Sequence, residues 1–257
     1  NLELDTVMPN LPTHIELAWQ ASLTIKDSVL DENLGQYLLG STAPDIRVIT
    51  KKPRSQYHFV NLDFDSIGEG EKGLFDTYPH LRDKSSLPSD QAALIAGYIT
   101  HLVADETWIT NMYRTYFADN KLFASKIEAK LYDRVAQLTM DRQSKDSIQL
   151  IAEKISTDFN VFSIGSISRP EMLEWKSWVA DFLTSEHAYK WVRLKNQASR
   201  ISKNDVSNQV HKLCDQFIEN PDQGLKLLYK NVPQSNIRQY KNQASENIAE
   251  AVSRYLS

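Results

Sequence analysis

The sequence predicts an all-α fold, a multi-helix bundle with an irregular N-terminal loop region. Three observations predict it. Only eight glycines and nine prolines occur in 257 residues, below the usual combined share of about 12% and too few for a turn-rich strand architecture. Beyond residue 88, apolar side chains recur at spacings of three and four, the period of one helical face. Pro88-Ser89-Asp90 and Ser168-Arg169-Pro170-Glu171 have the form of helix starts, the second being a capping box with proline in the tolerated first turn.

In chain order, helical pieces are expected over residues 14–22 and 31–40. Between 41 and 83 the helical period is lost. Residues 46–50 and 57–62 read as short strands, being rich in β-branched and aromatic side chains. Gly68, Gly70 and Gly73, set among acidic residues, mark 64–73 as a mobile loop. Ala92, Ala93, Ile95, Ala96, Ile99, Leu102 and Val103 then give the apolar face of a helix running to about Phe117. Further helices are predicted over 121–141, 147–159, 169–183 and 189–199. Two stripes follow: Val206, Val210, Leu213 and Phe217, then Ile237, Tyr240, Ala244, Ile248, Ala251 and Tyr255. No repeat, low-complexity run or composition break divides the chain, so residues 1–257 read as a single all-helical domain.

Composition excludes several function classes. The 29 basic and 33 acidic residues are interspersed, with net charge -4, so there is no basic stripe and no nucleic-acid signature. Cys214 stands alone, which removes an intrachain disulfide framework and a thiolate metal site. Any metal must therefore be held by His, Asp and Glu. No run approaches the roughly 18 apolar residues of a membrane span. The first thirty residues lack the order of a signal peptide, so a cytoplasmic location is expected, although a start at Asn1 leaves earlier processing open.

The histidines are unevenly placed. His14, His58, His80 and His101 precede residue 102, and only His187 and His211 follow. His101 and Asp105 are four apart, hence on one helix face, where they interrupt an apolar stripe. An unpaired buried carboxylate costs several kcal/mol. Two arrangements compensate it: a divalent cation taking both side chains as ligands at about 2.0–2.2 Å, or a His–Asp hydrogen bond within a satisfied core. Upstream, Pro12-Thr13-His14 opens a helix, Gly40-Ser41-Thr42-Ala43-Pro44-Asp45 ends one with an aspartate in a turn, and Tyr57-His58-Phe59 sets a histidine between aromatics. Each taken singly also has an ordinary reading as a cap, turn or half-buried ring.

Taken in order with Gly97-Tyr98-Ile99-Thr100-His101-Leu102-Val103-Ala104-Asp105, these segments resemble the zinc-dependent phospholipase C family, which belongs with the single-strand-specific nucleases of related fold. The resemblance covers about residues 8–117, the metal-binding part; 118–257 add only a helical pattern. It implies an all-α, metal-dependent hydrolase of phosphoesters in which a metal-activated water is the nucleophile. It also implies Asp45, His58, His101 and Asp105 as ligands of one metal, with Asp105 bridging to a second held by His14, and Asp45 as a catalytic residue. The implied cofactor is Zn2+, one or two ions, with Mn2+ or Fe2+ left open because a His/Asp set is not selective. The implied partner is a small-molecule or lipid-like substrate; no oligomeric state follows.

The chain departs from that pattern downstream. Secreted trinuclear members carry a histidine six residues after the bridging aspartate and then a His-x-x-x-Glu; here Asn111 stands at the first place, no histidine occurs between 101 and 187, and residue 191 is Trp. A reduced cluster serves hydrolysis or a non-hydrolytic lyase, cyclase or isomerase step alike. A structural metal site in a non-catalytic helical protein is the third alternative.

Other residues complete the expectations. His80 is a candidate general acid or second-metal ligand, and Arg82 a candidate phosphate or carboxylate clamp; both also read as surface residues. Glu106 points about 100° away from Asp105 around the helix, toward a supporting or solvated position. Lys51, Lys52 and Arg54 form a basic patch, by default solvated and otherwise attractive to an anionic head group. Trp108, Tyr113 and Tyr116 read mostly as core. His187, His211 and Cys214 have no motif around them.

Overall fold

The computed structural model describes residues 10–119, 121–196 and 207–257. Their regular secondary structure is helical, with one isolated bridge between Ile164 and Ile167 in place of any sheet among the described residues. The elements are α1 (Leu11–Ile25), α2 (Ser28–Glu32), α3 (Leu34–Gly40), α4 (Arg47–Thr50), α5 (Ser55–His58), α6 (Glu69–Thr77), α7 (Ser89–Trp108), α8 (Lys126–Gln143), α9 (Lys145–Ser156), α10 (Arg169–Thr184), α11 (Ser207–Glu219), α12 (Pro221–Asn231) and α13 (Gln234–Leu256). None of the described helices is long and apolar enough to cross a membrane.

Helix α7 is the axis of the site-bearing part. Every residue from Ala92 to Trp108 is buried, as expected of a helix surrounded on all sides. Helices α1, α3 and α13 pack against it, and α1 also packs on α13. The chain continues from Trp108 into a π-helical stretch, Ile109–Phe117, carrying the helical run to the predicted end. At the crossing of α3 and α7, Gly40 and Gly97 are in backbone contact, and an added Cβ would meet a carbonyl oxygen at 2.1 Å on Gly40 and 2.0 Å on Gly97. No other residue permits that approach. It sets the end of α3, and the turn after it, directly against the middle of α7.

Local signals explain the helix ends. In α10 the Ser168 and Glu171 side chains form the expected capping box, with Pro170 in the first turn. Helix α8 starts at Lys126 rather than at 121, because the Ser125 hydroxyl accepts from the Glu128 amide and fixes the start there. The predicted helix over 31–40 is interrupted at Asn33, which ends α2 and begins α3. A 3-10 turn spans Glu186–Tyr189, so of the helix expected over 189–199 only 193–196 are helical among the described residues, after a bend and turn at 190–192; its last three residues and Val206 lie outside the described residues. Helix α12, which no stripe predicted, packs on α11 and α8.

Three expectations between 41 and 83 are corrected. Residues 46–50 are not a strand: a 3-10 turn, Ala43–Ile46, with Pro44 in its first turn leads straight into α4. Lys51, in the left-handed region at φ 59°, closes α4 by donating its amide to Arg47 O. Residues 57–62 are not a strand either, since Tyr57 and His58 complete α5 and Phe59 turns the chain at φ 58°. With no neighbouring strand among the described residues, β-branched and aromatic content has nothing to pair with, and tertiary packing decides. The segment 64–73 is not a free loop. Its second half belongs to α6, where Gly73 lies so close to Phe59 that a Cβ would stand 2.5 Å from Phe59 O.

Two buried polar clusters brace the helices around the site. Asp141 accepts from Thr13 Oγ1 at 2.8 Å and from Arg193 Nη1 at 2.9 Å. Trp175 Nε1 donates to Thr42 Oγ1 at 3.0 Å, fastening α10 to the turn after α3.

Candidate metal centre

The centre forms where α1, the turn after α3, α5 and α7 meet. Helix α1 brings His14, whose ring stacks on that of His101 at 3.8 Å and 12°. Helix α7 brings His101 and, one turn on, Asp105. The Gly40–Gly97 contact sets the Ser41 carbonyl where it accepts from His101 Nδ1 at 2.9 Å. The Arg54 carbonyl likewise accepts from His58 Nδ1 at 3.3 Å. Both rings therefore carry a hydrogen on Nδ1 and turn Nε2 inward, the orientation of metal sites where a carbonyl fixes the ring.

The inward atoms form a triangle. His58 Nε2 and His101 Nε2 are 3.3 Å apart, and Asp105 Oδ2 is 3.4 Å from the first and 3.5 Å from the second. Two lone pairs and a carboxylate oxygen facing one another at this distance repel unless a cation or proton lies among them. The edge of a tetrahedron with bonds of about 2.1 Å is about 3.4 Å, so the triangle has the size of one face of such a site.

Asp45, on the 3-10 turn and partly exposed, groups with His58 and His101; His14 groups with His101 and Asp105, and in each group the ligand atoms lie within 4.8 Å of one another. His101 belongs to both. The two Asp105 oxygens and the two His14 ring nitrogens are buried without a hydrogen-bond partner; Asp105 Oδ1 is 3.3 Å from His14 Nε2. A divalent cation satisfies this donor set, which contains only imidazole nitrogen and carboxylate oxygen.

The electrostatics agree. Burial, reinforced by the Arg54 charge, holds His58 well below the usual imidazole pKa, and burial followed by His101 lowers His14. Burial also works against a charged His101, but the adjacent Asp105 carboxylate outweighs it and the net direction is upward. For Asp105 burial favours the neutral acid, yet His101 and His14 together hold it well below the carboxylate range. The cluster is thus built around an ionised Asp105 facing neutral His14 and His58.

Glu106 is neither solvated nor a member of either group. It is 1% exposed, and its carboxylate accepts from the Gly68 and Gly70 amides at 2.5 Å each. Burial pushes its pKa up to about 7. The glycine-rich segment is thereby clasped to the residue next to Asp105.

His80 is exposed on the 3-10 turn Pro79–Leu81, and Arg82 is exposed and paired with Asp76 at 3.2 Å; neither joins the groups above. Asn111 is exposed on the π-helical stretch. Trp108 is core, as expected, and donates to Asp133 Oδ1 at 3.0 Å. The basic patch divides: Lys51 turns back to Val48 O, Lys52 pairs with Glu171 at 2.8 Å, and Arg54 points inward. Arg54 Nη2 stands 3.5 Å from Asp105 Oδ2, with the side chain 9% exposed. Sequence reasoning named this residue only as part of a basic patch, and the signal that it turns inward is its position four before His58, on the same side of a turn.

A family model described as zinc dependent phospholipase C matches residues 13–168. The match contains all five grouped residues. Searches of curated proteins and of solved structures find no match.

Proposed function

The chain belongs to the zinc-dependent phospholipase C family, and from that premise we propose that it is a metal-dependent hydrolase acting on a phosphoester of a small or lipid-like substrate. The observation that carries the proposal is the triangle of His58 Nε2, His101 Nε2 and Asp105 Oδ2, with edges of 3.3, 3.4 and 3.5 Å.

Asp45, His58, His101 and Asp105 would hold one ion, and His14 with Asp105 would serve a second. A bound divalent ion lowers the pKa of a water to about 7 and polarises a phosphoryl oxygen. The protein does the rest by fixing groups in place. The Ser41 and Arg54 carbonyls keep both imidazoles in the tautomer that ligates. Burial of His14, His58 and Asp105 excludes bulk water from the inner side, leaving the partly exposed Asp45 edge as the approach. An Asp45 carboxylate oxygen at that edge accepts the proton given up by the attacking water, a task for a group at the water-facing side of the site. The reading rests on these five residues; His80 and Arg82 stand outside it.

The test pairs metal content with turnover. Purified protein is expected to retain zinc and to hydrolyse a chromogenic phosphodiester, and His101→Ala is expected to lose both. Retained zinc without turnover of any phosphodiester or phosphomonoester would overturn hydrolysis and turn attention to a non-hydrolytic step. Absence of zinc, with unchanged melting on zinc addition, would overturn the metal centre itself.

A further inference from the structure

We propose that the cleft between the π-helical stretch and α13 is a binding site, separate from the metal centre, for an uncharged polyhydroxylated group, a sugar or cyclic polyol. The cleft encloses about 360 Å³, within the roughly 300–1,000 Å³ of small-molecule pockets. Its walls come from two elements. The stretch Ile109–Phe117 contributes Thr110, Asn111, Thr115 and Tyr116, and α13 contributes Asn236, Gln239 and Gln243. Met112 and Tyr240, both buried, form the floor.

The backbone builds this arrangement on both sides. On α13, residues 236, 239, 240 and 243 are spaced by three and four, so they share one face. Opposite them, hydrogen bonding runs from residue i to i+5, which sets Thr110 near Thr115 and Asn111 near Tyr116. Such π-helical segments are rare, mostly a single turn, and frequent at functional sites; this one runs for nine residues. The Asn236 amide donates to the Tyr116 hydroxyl and joins the two walls. Tyr240 donates its hydroxyl to Ala104 O at 3.4 Å, fastening the floor to α7.

The lining selects the chemical class. None of its described residues is charged, and Arg238 lies outside it. Arg114 and Lys241, each next to a lining residue in sequence, are committed elsewhere, Arg114 to Leu62 O and Phe64 O and Lys241 to Glu16. An ionic ligand finds no countercharge in the lining. A hydrocarbon strips water from amides and hydroxyls without replacing the hydrogen bonds. Side-chain amides and hydroxyls both donate and accept, as the hydroxyls of a polyol do. Asn111 Nδ2, Thr115 Oγ1 and the Gln239 amide make no hydrogen bond to another described residue, and Gln243, whose Nε2 is directed to Glu246 and Asn247 on its own helix, keeps its carbonyl oxygen.

The probes are glucose, myo-inositol and glucuronate, titrated into the isotope-labelled full chain while NMR follows the side-chain amide signals of Asn111, Asn236, Gln239 and Gln243. Glucose or myo-inositol is expected to shift these signals saturably in the millimolar range, and glucuronate to bind more weakly. Gln239→Ala, at an exposed position, is expected to keep its zinc content and cooperative unfolding while affinity falls about twofold to tenfold, the worth of one neutral hydrogen bond. Asn111→Ala is expected to act alike. No saturable shift with either neutral probe overturns the site. Glucuronate binding as tightly as the neutral probes overturns the chemical class. Affinity unchanged in both variants puts the probe elsewhere and also overturns the site. The readout involves neither metal nor turnover, so its outcome is independent of the hydrolase reading.

Discussion

Gly40 and Gly97 touch through their backbones: a Cβ on Gly40 would stand 3.0 Å from the Gly97 Cα, and one on Gly97 2.9 Å from the Gly40 Cα. In an exposed helix, alanine in place of glycine stabilises by about 0.8–1 kcal/mol. Here the sign reverses, because the nearest atoms are backbone carbonyls that cannot turn aside. Gly97→Ala or Gly40→Ala is expected to cost about 3 kcal/mol, a fall in Tm of roughly 6–12 °C. Prising α3 from α7 also draws Ser41 O away from His101 Nδ1. Thermal melting and zinc titration of the same variants should therefore worsen together.

His101 lies in both ligand groups and His14 in one. His101→Ala is expected to abolish zinc binding, whereas His14→Ala keeps the ion held by the triangle. In wild-type protein, zinc at about a hundred times its Kd should add about 3 kcal/mol of stability, seen as a rise in Tm of roughly 5–10 °C. That rise should vanish in His101→Ala and persist in His14→Ala. Melting curves with and without chelator, read beside metal analysis, make the comparison.

Asp133 is buried and accepts from Trp108 Nε1 at 3.0 Å and Gln137 Nε2 at 3.0 Å, yet burial pushes its pKa up to about 6. Its ordinary value is 3.8, so between these limits the folded chain binds more protons at this site than the unfolded chain. The contribution of Asp133 to stability therefore falls as pH rises from about 4 to about 6, by about 3 kcal/mol at most. Asp133→Asn removes the titration. It also removes the buried ion pair of Asp133 Oδ2 with Arg134 Nη2 at 3.2 Å, a cost present throughout the range. The Tm of Asp133→Asn relative to wild type is expected to rise with pH across this window, and a pH series of melts checks it.

The bond from Trp175 Nε1 to Thr42 Oγ1 ties α10 to the turn that carries Asp45. Thr42→Val keeps the shape and leaves a buried indole N–H unsatisfied, an expected loss of about 1–3 kcal/mol. Thr42→Ser restores the acceptor and should recover most of it. Denaturant unfolding at constant m value measures the difference.

The residues of α7 were legible because a helix converts spacing into geometry: His101 and Asp105, four apart, share a face whatever packs on it. The capping box at Ser168 and Glu171 was legible for the same local reason. Asp45, His58 and His14 came from the order of the motifs, since no local rule says that three distant segments converge. Arg54 was legible only as a member of a basic triplet, because such a triplet between turns reads alike whether its side chains face water or a carboxylate. The glycines of 68–73 misled in a specific way. Glycine marks either freedom or a close approach, and at Gly70, where a Cβ would stand 2.9 Å from Glu106 Oε1, it is the approach that applies. Val48, Ile49 and Thr50 carry strand preference, but that preference acts only through neighbours, and Lys51 ends their turn before any extended run begins.

The packing of α1 on α13, and of both on α7, joins the first described helix to the last. Every candidate ligand lies at or before Asp105, whereas α13, which packs on the two helices carrying His14, His101 and Asp105, begins at Gln234. During synthesis all five grouped residues therefore leave the ribosome before Gln234–Leu256 does, and the packing of that helix on α1 and α7 forms only afterwards.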